Sequence, residues 1–397
     1  VSDDLMLSAL RHEAGFSPES GIIKVMNHAR LRDRPYIPLV VGEGHHPTPA
    51  FICEAAQSSL TRGETFYTYQ KGLPELRQAL AAYHKRHFDR EVEAERFIVT
   101  GSGMQAIQLC IQAVAGAGDE VLLPTPAWPN FAAALGIMGA VPKSVPMHFD
   151  GQAWSLDIGA LQAALTSKTR ALFVNSPCNP TGWVADVTFL KELLSFARKH
   201  DLWLIADEVY SQFHYADHRA PSFYDIMEAD DKILFVNTFS KNWAMTGWRV
   251  GWISAPPALQ GVFENLVQYS TSGVAAFMQR GAIAALNEGD SFLRQQVSDC
   301  HRGRDIVCDV LEATGRIRLE RPRGAFYLFF GLDDYPDTTN LGIRLLDEVG
   351  VAISPGDAFG PGGAGFMRLC FARSHDNLLD AAESIARWLN ADPGSAA

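Results

Sequence analysis

Apolar positions recur along this chain with two different periods. Short, nearly all-apolar runs stand at 97–100, 120–123, 171–175, 202–206, 233–237 and 249–254. Among them, at 104–115, 131–136 and 187–199, apolar residues return every three or four positions. The short runs fit strands buried on both faces, and the longer period fits amphipathic helices. Their alternation predicts a mostly parallel sheet covered by helices on both sides. Ligands of such sheets bind beyond the carboxyl ends of the strands. Asp207 and Lys241 each fall just past the end of a predicted strand.

The flanks read differently. Helical spacing predicts helices over 21–30, 54–60 and 73–87, with Pro74 near the start of the last, where a helix tolerates it. After about 290 a long charged helix is expected over 292–314. Strands at 317–319, 325–330 and 366–371 and helices at 339–348 and 375–389 follow. The chain thus divides into a large α/β domain, 41–289, and a smaller α+β domain made from both ends, 1–40 and 290–397. The N-terminal arm is expected to pack on that smaller domain. No internal repeat or low-complexity tract is present, and 360–365 reads as a short glycine-rich loop.

Composition narrows the partners. At 397 residues and 47% apolar, the chain has material for more than one small core. Its 34 basic and 45 acidic residues give a net charge of −11, which disfavours nucleic acid and anionic membrane as partners but not an anionic cofactor held by local charge. The six cysteines form no C-x-x-C pair and sit mostly in apolar stretches, as buried free thiols do in a reducing compartment. The first twenty residues lack the apolar core of a signal peptide, and the run 131–142 is too short to span a bilayer. A soluble, cytoplasmic protein is expected.

Candidate chemistry gathers at three points. Gly101-Ser102-Gly103-Met104 joins a predicted strand to a predicted helix, so its backbone can approach an anion at the helix N-terminus. It is neither G-x-G-x-x-G nor a P-loop, and alone it is an ordinary turn. Asp207 closes an apolar run, where a carboxylate is costly without a partner. Lys241 lies between Ser240 and Arg249; a lysine near such groups and shielded from water loses amine basicity and can attack a carbonyl. An imine-forming lysine, a carboxylate for a ring nitrogen and an arginine for a phosphate are what pyridoxal phosphate requires.

Other motifs extend the pattern. They are Val41-Gly42-Glu43, Tyr67-Thr68-Tyr69-Gln70-Lys71-Gly72, Asn175-Ser176-Pro177-Cys178-Asn179-Pro180-Thr181-Gly182, Ala206-Asp207-Glu208-Val209-Tyr210 and Met367-Arg368-Leu369. In this order they resemble the fold-type I pyridoxal-phosphate enzymes, specifically the class I and II aminotransferases of the aspartate aminotransferase superfamily, over about 41–388. The resemblance implies a seven-stranded, mostly parallel sheet and a homodimer. It implies that Lys241 holds pyridoxal 5'-phosphate as a Schiff base and shuttles the substrate proton, and that Asp207 keeps the ring nitrogen protonated. Asn179 and Tyr210 would bond the ring's 3-oxygen, and Trp128 would stack on the ring. Ser102, Gly103, Met104, Ser240 and Arg249 would surround the phosphate, with Met104 offering only its backbone N–H. Tyr67 would reach the neighbouring subunit's phosphate. Arg368 would grip the substrate carboxylate, with Gly42, Trp128 and Asn179 beside it.

The implied activity is transfer of an amino group between an L-amino acid and a 2-oxo acid, with ping-pong kinetics. A carbon–sulfur β-lyase on the same scaffold and a non-catalytic ligand-binding relative are the alternatives. Two departures matter. Gly44-His45-His46 stands where relatives commonly show Pro-Asp-Phe. No carboxylate or cysteine lies at ligand spacing from these histidines, so they are expected to line the mouth of the site, not to hold a metal. The place of the second, dicarboxylate-binding arginine of some relatives falls near Leu266, and the segments 268–272 and 277–279 resemble the broad bacterial subgroup. His84 and His87, on a charged helix, are expected to face solvent.

Overall fold

The computed structural model describes Met6, residues 8–15 and residues 20–391. Parts of the predicted N-terminal arm and the last six residues of the predicted smaller domain lie outside the described residues. A seven-stranded sheet runs in the order Phe97–Thr100, Gly251–Ser254, Ile233–Thr238, Trp203–Asp207, Thr169–Asn175, Glu120–Thr125, Val141–Pro146. Gly251–Ser254 is antiparallel to both neighbours, and all other pairings are parallel. Within each strand successive side chains go to opposite faces. Leu172, Leu204, Ala206 and Phe235 join one core, and Phe173, Ile205, Leu234 and Val236 join the other. This double burial is why the strands read as unbroken apolar runs.

The expected strands and helices of the α/β block are present within a few residues of the expected bounds. The edge strand Val141–Pro146 and the helices Gln260–Gln268 and Ala276–Glu288 are additions. Asp186 caps helix Val187–Lys199 by accepting from the Phe189 N–H at 2.8 Å. Pro74 starts Pro74–Phe88, as expected.

A second, antiparallel sheet is ordered Arg318–Leu319, Tyr327–Gly331, Phe366–Cys370, Ser354–Pro355. Helices Asp290–Glu312 and His375–Ala391 pack together and share its core through Val307, Leu311, Leu378 and Ile385. Helix Gly21–Arg30 lies on Thr338–Val349, burying Val25 and Ala29 with Leu346 and Ala352. Strand Ile37–Pro38 pairs with Val351–Ala352.

The histidines on helix Pro74–Phe88 correct the expectation of solvent exposure. His84 is 1% exposed, sits among Phe88, Phe97 and Tyr224, and donates Nδ1–H to the Leu80 carbonyl at 2.8 Å. Burial lowers its pKa to about 4. His87 is half-buried and bonds Asp290 at 2.9 Å. Five cysteines are buried and Cys53 is partly so, all as free thiols. No described helix is long and apolar enough to cross a membrane.

Candidate active site

The chemistry lies at the carboxyl edge of the large sheet. Asn175 and Asp207 end adjacent strands in register, and Asn175 Nδ2 donates to the Asp207 carbonyl at 3.0 Å. The next strand ends at Thr238, whose side chain accepts the Ser240 N–H at 3.1 Å and starts the single turn Phe239–Asn242. That turn carries Lys241. The second sheet contributes Arg368, opposite Phe329 and Ser354. These groups line one cavity of about 500 Å³.

Lys241 is half-buried, and its Nζ donates to the Gly42 carbonyl at 2.7 Å. Loss of water around the ammonium lowers its pKa to about 8; Cys370 and Glu43 oppose the shift, while Arg368 and Arg249 add to it. Gly42 is required by space, since a Cβ there would lie 2.1 Å from the Tyr327 hydroxyl.

Asp207 is 5% exposed, and among the described residues its carboxylate accepts only the Val209 N–H, at 3.3 Å. Among the described residues no cation forms an ion pair with it. Burial raises its pKa to about 7, partly offset by that N–H and by Lys241. Arg368 is the opposite case, a buried guanidinium with no carboxylate partner among the described residues. It donates to Asn179 Oδ1 at 3.0 Å, the Val40 carbonyl at 2.6 Å and Ser354 Oγ at 3.1 Å, and its Nε has no partner. Tyr327 and Phe359 flank it at 4.6 and 4.9 Å. One cavity thus holds an acid lacking a base and a base lacking an acid, together with an amine.

Asn179 is fixed from both sides. Its N–H donates to Asn175 Oδ1 at 2.8 Å and its Oδ1 receives Arg368; the Asn179-Pro180 bond is cis. Tyr210 shares a 2.7 Å hydrogen bond with Tyr327, and burial raises its pKa well above the usual phenol range. At the other end of the cavity Gly103 opens the helix Gly103–Val114, and the Ser102 Oγ accepts the Gln105 N–H at 3.0 Å. A helix N-terminus of this kind attracts anions. Arg249 stands across from it in left-handed backbone (φ 54°), a conformation costly for a side-chain-bearing residue and concentrated at functional sites. Its Nη1 holds the Thr246 carbonyl at 2.6 Å, and no acidic group among the described residues pairs with it.

The profile of the family described as aminotransferase class I and II matches residues 34–385. The chain belongs to that family. Aspartate aminotransferase of Pyrococcus abyssi is 35% identical over 89% of this chain and 91% of its own length. Arginine–pyruvate transaminase of Pseudomonas aeruginosa is 34% identical over 88% of each. The crystal structure of aspartate aminotransferase from Thermotoga maritima superposes with a TM-score of 0.90 at 30% identity, covering 96% of this chain and all of that one. Aminotransferases of this fold normally use pyridoxal phosphate.

Of the residues singled out in the sequence, Gly42, Gly103, Met104, Trp128, Asn179, Asp207, Tyr210, Ser240, Lys241, Arg249 and Arg368 all line the cavity. Ser102 stands beside it as the helix cap. Tyr67 does not reach it and is 91% exposed. His45 and His46 are not among the residues that line the cavity; His46 lines an adjoining pocket that shares Thr246 with it, the two rings lie 4.0 Å apart, and His46 Nε2 bonds Asp299 at 3.2 Å. Among the described residues no cluster of three His, Cys, Asp or Glu side chains is arranged to hold a metal. Asn175, Thr238 and Tyr327 were not singled out in the sequence. Asn175 opens a motif that was read, and its position at a strand end beside Asp207 was the available signal. Nothing distinguishes Tyr327 within its apolar run.

Proposed function

We propose that this aminotransferase binds pyridoxal 5'-phosphate in the 500 Å³ cavity, covalently through Lys241, and moves an amino group between an L-amino acid and a 2-oxo acid. The observation that carries the reading is the pair of buried groups without an ionic partner, Asp207 and Arg368, in the cavity that holds Lys241. The residues fit the cofactor. A protonated ring nitrogen supplies the cation that Asp207 lacks. A phosphate matches the N-terminus of Gly103–Val114, the Ser102 and Ser240 hydroxyls and Arg249. Trp128 offers an aromatic face and Asn179 and Tyr210 offer donors to a ring oxygen.

When bound, the cofactor supplies an aldehyde carbon that condenses with amines and a cationic ring that accepts an electron pair. The protein does the rest. Arg368 holds the substrate carboxylate with its planar fork, oriented by Asn179 and Ser354. Asp207 keeps the ring proton in place. With a pKa of about 8, roughly a tenth of the Lys241 amine is unprotonated at pH 7, so Nζ can take the substrate α-proton and give it back.

The chain is read as a large cofactor domain, 41–289, and a smaller one, 1–40 with 290–397. The cluster that the second sheet forms with helices Asp290–Glu312 and His375–Ala391 supports that division, and Phe329, Phe359 and Phe366 join it to the large core. Exposed Phe66, Tyr67, Tyr69 and Tyr269 support a homodimer in which Tyr67 reaches the neighbouring site. The test of function is the half-reaction. Incubation with one amino acid alone should convert the bound cofactor to its amine form and release one equivalent of 2-oxo acid. Release of pyruvate and ammonia with the cofactor unchanged would favour the β-lyase instead.

A further inference from the structure

The substrate side chain must occupy whatever part of the cavity Lys241, Asp207, Arg368 and the anion end leave free, and the character of that part is legible. Ile22, Val25, Met26 and Ala29 of helix Gly21–Arg30 form one apolar stripe at helical spacing. Val25 and Ala29 turn into the core against Leu346 and Ala352. Ile22, Ile23 and Met26 line the cavity, and Ile23 is 47% exposed. Val40 and Val41 continue this wall.

Charge is as informative as apolar area. Lys241, Arg249 and Arg368 are the cationic lining residues among those described, and Asp207 is the acidic one. All four have tasks under the cofactor reading. The Ser20 hydroxyl on the same wall already accepts the Ile22 N–H at 3.2 Å. Among the described residues a distal carboxylate on the substrate would meet no spare cation here, and a distal ammonium no spare acid. Stripping water from a charge without a partner is strongly unfavourable.

We propose that the preferred amino donor carries an uncharged, apolar side chain seated against Ile22, Ile23 and Met26, although several relatives are named for aspartate. This rests on the pyridoxal-phosphate reading above and adds the substrate class to it. Branched, thioether and aromatic side chains satisfy this reading alike, since the preference arises from the lack of a charged partner for the side chain.

The test is the single-turnover half-reaction of the cofactor-loaded protein with leucine, methionine, phenylalanine, aspartate, glutamate, lysine and arginine. Apolar donors should exceed every charged donor by at least ~10-fold in the second-order rate constant. Ile23→Lys, which sets a cation on the exposed part of the wall, should raise the aspartate-to-leucine ratio at least ~10-fold. Ile23→Gln separates loss of apolar area from gain of charge: it should lower the rate with leucine without raising that with aspartate. A wild-type preference for any charged donor would overturn the proposal, as would an unchanged ratio in Ile23→Lys. Failure of the cofactor reading looks different: no cofactor is retained, and no donor reacts.

Discussion

Asp207→Asn in the cofactor-free protein isolates the charge imbalance on which the site is built. The acid is 5% exposed and its pKa is raised from an ordinary 3.8 to about 7. The native state therefore binds more protons than the unfolded state between those values, and stability is lost as pH rises through that window. Taking the two values at face, ionisation costs the native state about 4 kcal/mol at pH 8 and about 1 kcal/mol at pH 4.5. Asparagine keeps the acceptor for the Val209 N–H and cannot ionise. The cofactor-free variant should melt above the wild type by about 5 °C at pH 8, from the usual unfolding entropy per residue, and the gap should shrink to about 1 °C at pH 4.5. Measuring both proteins at each pH cancels every other titration. Loading with pyridoxal phosphate should reverse the order at pH 8, because only the carboxylate gains a cationic partner. A variant less stable than the wild type by the same margin at both pH values, without cofactor, would refute the reasoning.

Other outcomes follow from the same geometry. Lys241→Ala should show no measurable transamination while the melting temperature of the cofactor-free protein is not lowered, since a desolvated ammonium is removed; a catalytic assay and a thermal scan check both. Arg368→Lys should keep the cofactor's absorption but lower kcat/KM by at least ~30-fold, because a point charge cannot replace a two-pronged fork among Asn179, Val40 and Ser354. His84, held neutral by burial with a pKa of about 4, costs stability as pH falls from 6.5 toward 4; His84→Leu should flatten that acid limb by up to about 3 kcal/mol in denaturant titrations. Tyr67→Ala should weaken cofactor retention in the dimer without changing the thermal stability of the subunit fold; sedimentation and cofactor titration distinguish the two effects.

Much of the fold was legible because its strands are buried on both faces. The apolar run 97–100 and the capped helix 187–199 coincide with the observed elements. Val141–Pro146 was not legible, since it is an edge strand with two prolines and a lysine, the composition that protects an edge. Helix Ala276–Glu288 escaped because its packing face is made of small residues. Gly281 lies so close to Trp248 that a Cβ would come within 2.6 Å of the ring. His84 misled because its neighbours in sequence are charged, whereas the aromatic cage that buries it comes partly from distant strands and turns. In the site, the strand-end positions of Asp207 and Lys241 were open to pattern reading. The role of Arg368 came from family resemblance alone, because its strand belongs to another sheet and only the fold brings it to Asn179.

The central claim is that Lys241 is the amine that captures an aldehyde cofactor. The direct measurement is to load the purified protein with pyridoxal 5'-phosphate, reduce with borohydride and locate the modified residue by peptide mass spectrometry. The account predicts a yellow protein that borohydride bleaches, with one equivalent of label fixed on Lys241. A protein that takes up no colour, or a label distributed over surface lysines with Lys241 unmodified, would contradict it.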